Sequence, residues 1–285
     1  MGGGGGCCGS GPGEPGGLPD DPERIVDRVR ERHGRIADGG ACGCGAAGES
    51  ATALAIGYAK GDLADLPAGT NLGLGCGAPV EALDPRPGET VLDLGSGAGV
   101  DALIAARRVG PSGRVIGVDM TPAMVAKARA HAARAGLSHV EFREGRLERL
   151  PVEDASVDAV TSNCVINLVP DKRAVFREIA RVLKPGGRLV ISDVVLDGRL
   201  PDALGRDLLA YVGCVAGATE RDAYFRGVRD AGLGEIRVLR DVDFLATGAC
   251  ALPDDLLASL AREGVTARDL EGKVRSVTFR AVKPA

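Results

Sequence analysis

"VLDLGSGAGVD", Val91 to Asp101, sets three glycines at alternate positions directly after a short apolar run. A run of strand length ending in Gly95, Gly97 and Gly99 reads as a buried strand leading into a tight turn, where the backbone must admit a ligand. From Glu89 onward such runs alternate with helical stretches. The expected strands are "TVLDLG", "GRVIGVD", "VEFREG", "VDAVTSN" and "GGRLVISDVV", with helices over Val100–Val109, Thr121–Ala135 and Asp171–Leu183. Helices between Pro201 and Gly232 then precede the strands "EIRVLRDVDF" and "KVRSVTFRAV". Strand then helix, repeated, predicts an α/β fold: a doubly wound, Rossmann-like parallel sheet with helices on both faces. Its ligand should lie beyond the carboxyl ends of the strands, near the switch point.

Composition narrows the partner. With 45% hydrophobic and 26% charged residues, the 285-residue chain has enough apolar material for one large core. The net charge of −4 and scattered basic residues speak against a nucleic-acid footprint or a membrane-surface patch, leaving a small molecule. No apolar run approaches the roughly 18 residues of a membrane span. The opening "MGGGGGCCGSGPGEPGG" cannot bury enough surface to order itself, so residues 1–18 read as a flexible tail. It lacks an apolar secretion core, and Gly6 stands where an acylation signal wants Ser or Thr, so the expected location is cytoplasmic.

Residues 19–84 read as a helix and a lid. "DDPERIVDRVRERHGRIA" carries Ile25, Val29 and Ile36 on one side, with Asp21 as cap and Pro22 at the first helical position. The glycine-rich stretch that follows, with "ACGCG" and "NLGLGCGAPV", reads as a mobile lid rather than a part of the sheet. Residues 85–198 form the cofactor-binding core, and residues 199–285 a cap with C-terminal strands.

The glycine spacing is G-x-G-x-G, not the G-x-G-x-x-G of nicotinamide sites, and Asp93 stands two residues ahead of Gly95. That arrangement resembles the class I S-adenosylmethionine methyltransferases. The second strand ends in "GVDMTP", placing Asp119 to take both ribose hydroxyls and Met120 to lie against adenine. Capping the next helix, the other role open to Asp119, suits Thr121 before Pro122 better. "GRLERLP" resembles the adenine-side loop, with Leu147 and Glu148, and "RVLKPGGRLVISD" the turn before the fifth strand. The resemblance implies cofactor contacts at Asp93, Gly95, Ser96, Gly97, Gly99, Asp119, Met120, Leu147, Glu148 and Asn163.

Eight cysteines remain, at 7, 8, 42, 44, 76, 164, 214 and 250. They are too dispersed for a small disulfide scaffold, and structural zinc is disfavoured because C-x₂-C pairs are absent and no His stands at ligand spacing. Cys164 ends the fourth strand in "SNCVINLVPDK", where the acceptor is expected. By itself it would read as a small buried hydrophobe. Cys76 in the lid and Cys214 in "YVGCVAGA" can converge on the same cleft, and thiolate sulfur selects soft ions.

"NLGLGCG", "GETVLDLGSGAG", "VIGVDMTPAM", "SNCVINLVPDK", "RVLKPGGRL" and "YVGCVAGA" are similar to the arsenite S-adenosylmethionine methyltransferases over residues 24–285. The resemblance implies arsenic detoxification: trivalent arsenic, as arsenite or methylarsenite, held by Cys76, Cys164 and Cys214 and methylated by S-adenosylmethionine. It also implies a redox thiol at Cys44 or Cys42, turned over by glutathione or thioredoxin. The sequence departs from the family pattern at Ala78, at His33 and in the spaced Cys42–Cys44 pair. Cys7, Cys8 and Cys250 read as incidental. Two other readings stay open: methylation of a small organic molecule, with the thiols as packing, or a metalloid-binding module that transfers nothing.

Overall fold

The structure, a computed structural model, describes residues 21–39, 49–199, 217–247, 261, 264 and 266–285. Of the cysteines, Cys7, Cys8, Cys42, Cys44, Cys214 and Cys250 lie outside the described residues, as do residues 201–216 of the stretch expected to be helical between Pro201 and Gly232. The glycine turn closes β1 (Thr90–Leu94), an inner strand of a sheet completed by β2 (Arg114–Asp119), β3 (Val140–Glu144), β4 (Val157–Asn163), β5 (Leu183–Leu196), β6 (Gly234–Asp243) and β7 (Val274–Val282). Their order is β3-β2-β1-β4-β5-β7-β6.

Strands β1 to β5 are mutually parallel, and β7 is antiparallel to both β5 and β6. The expectation of a parallel sheet therefore holds for its core and needs correction at one side. There β7 returns beside β6, and by slotting between β6 and β5 it opposes both.

Alternate residues of each central strand enter two different cores, because strand side chains alternate faces. Val91, Val115, Ala159 and Val190 pack with α5 (Val100–Val109) and α6 (Pro122–Arg134). Leu92, Ile116, Val160 and Ile191 pack on the other face with α7 (Lys172–Val182) and α8 (Arg221–Asp230). Parallel strands buried on both faces need both layers.

The N-terminal helix α1 spans Pro22–Ala37, with the Asp21 side chain accepting from the Glu23 amide at 3.0 Å and Ile25, Val29 and Ile36 buried. What the sequence reading took for lid alone also contains α2 (Glu49–Ile56), α3 (Lys60–Ala64) and α4 (Pro79–Leu83). The surrounding glycines hid these short helices. Pro79 at the first helical position was the available signal.

Candidate active site

Gly95 takes φ +64°, and a Cβ there would sit 2.4 Å from a Val165 methyl, so no larger residue fits. The turn it makes opens a cleft of about 1160 Å³, open mouth included, at the C-terminal ends of β1, β2 and β4. Gly95, Ser96 and Gly97 line it with their backbone, whereas Gly99 is absent from the lining and caps α5 at φ +100°.

Asp119, at the end of β2, also lines the cleft. Its Oδ2 accepts from the Gly97 amide at 2.9 Å and its Oδ1 from the Thr121 amide at 2.8 Å. The expected division of labour at α6 is thus corrected. Thr121 stands at the cap position but makes no side-chain cap, and its own amide donates to the Asp119 carboxylate. Met120, Leu147 and Glu148 line the same cleft, and Glu148 accepts from Arg146, which also reaches Glu23 of α1. His33 of α1 faces the cleft too; burial lowers its pKa, while its Nδ1 donates to the Val29 carbonyl at 2.8 Å.

Deeper lies a polar cluster that sequence reasoning only partly reached. Asp93 Oδ2 and Ser96 Oγ are buried without a hydrogen-bond partner, although each belongs to a cleft-lining residue. Buried polar atoms left unpaired are costly, so these two mark where a ligand's polar groups belong. Burial, then the neighbouring Asp101 carboxylate, pushes the Asp93 pKa well up. Asp101, also chiefly through burial, rises to about 6. The Tyr58 hydroxyl donates to both Asp101 oxygens at 2.9 Å, and burial raises its pKa as well. Asp101 stood inside the opening motif, but an acid in the first turn of a helix ordinarily reads as dipole compensation. Tyr58 had no sequence signal at all.

Asn163 joins this cluster to the thiols. Its Nδ2 donates to Tyr58 Oη at 2.8 Å and to the Gly77 carbonyl at 2.7 Å. Its Oδ1 accepts from the Cys76 amide at 3.1 Å and the Gly77 amide at 3.3 Å. Ser276 of β7 also donates to the Cys76 carbonyl at 2.7 Å. Cys76 is 1% exposed, so the expectation of a loosely placed lid thiol is corrected: β4 and β7 pin its backbone.

Cys164 follows Asn163 directly, lines the cleft, and holds φ +58°, a left-handed conformation a cysteine rarely adopts. Its amide donates to the Ser192 carbonyl at 2.8 Å. Both Cys76 and Cys164 are buried. Cys76 does not line the cleft itself; it sits behind Gly75, which does. Among the described residues no three His, Cys, Asp or Glu side chains form a metal-binding group, and Cys214 and Cys44 fall outside them.

Both thiols neighbour Tyr224 of α8. Burial, followed by the Asp193 carboxylate, raises the Tyr224 pKa, with Cys76 and Cys164 close enough to contribute. Its hydroxyl donates to Asp193 Oδ2 at 2.9 Å, while Asn167 donates to Oδ1 at 2.8 Å. Nothing in the sequence marked this pair.

The strand order, the glycine turn and the acidic residue closing β2 define an S-adenosylmethionine-dependent methyltransferase. Accordingly, the family described as "Methyltransferase domain" matches residues 85–235. Over 279 residues the chain is 42% identical to an arsenite methyltransferase of Halobacterium salinarum, covering 93% of this chain and 68% of that relative. An arsenite methyltransferase of Aquipseudomonas alcaligenes is 45% identical over 148 residues, 50% of this chain and 43% of its own length. A solved arsenic(III) S-adenosylmethionine methyltransferase from Chlamydomonas reinhardtii superposes with a TM-score of 0.59 at 34% identity, covering 82% of this chain and 73% of that one. The chain belongs to the arsenite methyltransferase family.

Proposed function

We propose that the chain methylates trivalent arsenic held by Cys76, Cys164 and Cys214, using S-adenosylmethionine, in arsenic detoxification. The observation that carries this reading is the pair of buried cysteines that Asn163 brings to the edge of the cofactor cleft. The lining of the cleft supports this reading: Asp119 would take the ribose hydroxyls, Met120 and Leu147 would lie against adenine, and the unpaired Asp93 and Ser96 atoms would meet a polar, cationic end. When bound, S-adenosylmethionine supplies an electrophilic sulfonium methyl. The chain holds three sulfurs so that the arsenic lone pair faces the cleft, and its apolar walls exclude water. Orientation of this kind contributes about 7–11 kcal/mol when reactants are aligned.

Methyl transfer oxidises arsenic by two electrons. A thiol pair including Cys44 or Cys42 returns them by closing a disulfide, which glutathione or thioredoxin then reopens. In this reading residues 1–18 are tail, 19–84 helix and lid, 85–198 cofactor core, and 199–285 cap and closing strands. No helix among the described residues is long and apolar enough to cross a membrane, and a cytoplasmic setting fits a thiol-dependent cycle.

Arsenic X-ray absorption on the arsenite complex tests the proposal. A first shell of three sulfurs is expected, with loss of one sulfur in Cys164→Ser. An oxygen-rich shell, or an unchanged shell in that variant, overturns it.

A further inference from the structure

We propose that Asn163 is a positioning residue that couples the two halves of the site, so that filling the cofactor cleft tightens arsenite binding at Cys76. This rests on the arsenic-site reading above. The Asn163 amide uses its full capacity: its NH₂ donates to Tyr58 Oη and the Gly77 carbonyl, with a longer contact to Asp101 Oδ2 at 3.3 Å, and its two lone pairs take the Cys76 and Gly77 amides. Turning the amide over would set donor against donor at Cys76 and acceptor against acceptor at Gly77. Its orientation therefore determines where the Cys76 backbone sits.

That orientation depends in turn on Asp101. While Asp101 is ionised, the Tyr58 hydroxyl must donate to it, and the Tyr58 oxygen is left to accept from Asn163. Should Asp101 carry a proton, it becomes the donor, and the Tyr58 hydrogen is free to point at Asn163. It then meets the Asn163 NH₂ head-on and favours the turned amide, which releases Cys76. Two buried carboxylates, Asp93 and Asp101, face one cleft, and Asp93 Oδ2 has no partner. A ligand that brings a cationic ammonium keeps them ionised. The chain Asp101–Tyr58–Asn163–Cys76 thus has two hydrogen-bonded directions, and the cofactor selects one of them. Coupling between sites is reciprocal, so arsenite must tighten cofactor binding by the same factor.

Calorimetric titration of arsenite, with and without saturating S-adenosylhomocysteine, reads the coupling. This product bears the ammonium but no transferable methyl. In the unaltered protein S-adenosylhomocysteine should tighten arsenite binding roughly tenfold, within the usual range of such couplings. In Asn163→Ala and, with the ring retained, in Tyr58→Phe the ratio should fall toward one. A ratio near one in the unaltered protein, or a preserved ratio in Tyr58→Phe, overturns the coupling while leaving the arsenic site standing. Absence of any arsenite binding in the unaltered protein would remove both.

Discussion

Asp193 shows how a single residue can be conspicuous only in three dimensions. It is fully buried on β5, accepts from Tyr224, Asn167 and the Val194 amide, and burial lifts its pKa to about 7. Its unfolded value is near 3.9. Between those values the folded state holds a proton that the unfolded state has released, so this group's contribution to stability is full below about pH 4 and is lost as pH rises through 7. An Asn side chain keeps the shape without the charge. Asp193→Asn should gain stability relative to the unaltered protein between pH 4 and 7, on the order of 4 kcal/mol in total, and gain no more above. Urea unfolding of both proteins across that range would show the widening gap; parallel curves would mean that Asp193 does not titrate there.

At the scale of elements, the loop around Cys76 matters most. A Cβ on Gly77 would lie 2.4 Å from Ser192 Oγ and 2.7 Å from Ser192 Cβ, so the loop rests directly on β5. Gly77→Ala should cost about 1–3 kcal/mol by overpacking and displace the adjoining thiol. Adding Ser192→Gly should recover most of that stability. Thermal melts of the single and double variants measure this, and a double variant no better than the single would mean the strain lies elsewhere. In the sequence "NLGLGCG" looked like mobile backbone, because glycine content says nothing about what the loop lies against. Its glycines permit the close approach that fixes Cys76, the reverse of the expected looseness.

For the molecule as a whole, the cofactor cleft draws together α1, the ends of β1, β2 and β4, and the 145–148 loop. A ligand binding there stabilises only the folded chain. At a hundred times its Kd, S-adenosylmethionine should add about 2.7 kcal/mol, which for a chain of this size is a rise in Tm of roughly 5–10 °C. Asp119→Ala removes the proposed ribose partner together with the acceptor for Gly97 and Thr121. About 1–3 kcal/mol of affinity should be lost, so the same rise in Tm needs about five- to a hundred-and-fiftyfold more cofactor. Melts over a cofactor series decide this; superimposed curves for the two proteins would remove Asp119 from the site.

The sequence by itself determined the wound sheet, because strand and helix periodicities are local and repeat along the chain. It also determined the glycine turn with its flanking acids, because a backbone that must bend sharply beside a ligand leaves its mark in residue type. Only the tertiary structure decided that Asn163 grips the Cys76 loop, that Tyr58 meets Asp101, and that Tyr224 meets Asp193. Those partners stand far apart in the chain, and each is an ordinary residue until folding buries it. Once water is excluded, an unpaired polar group becomes costly, so the partner it finds is set by topology and leaves no local pattern to read.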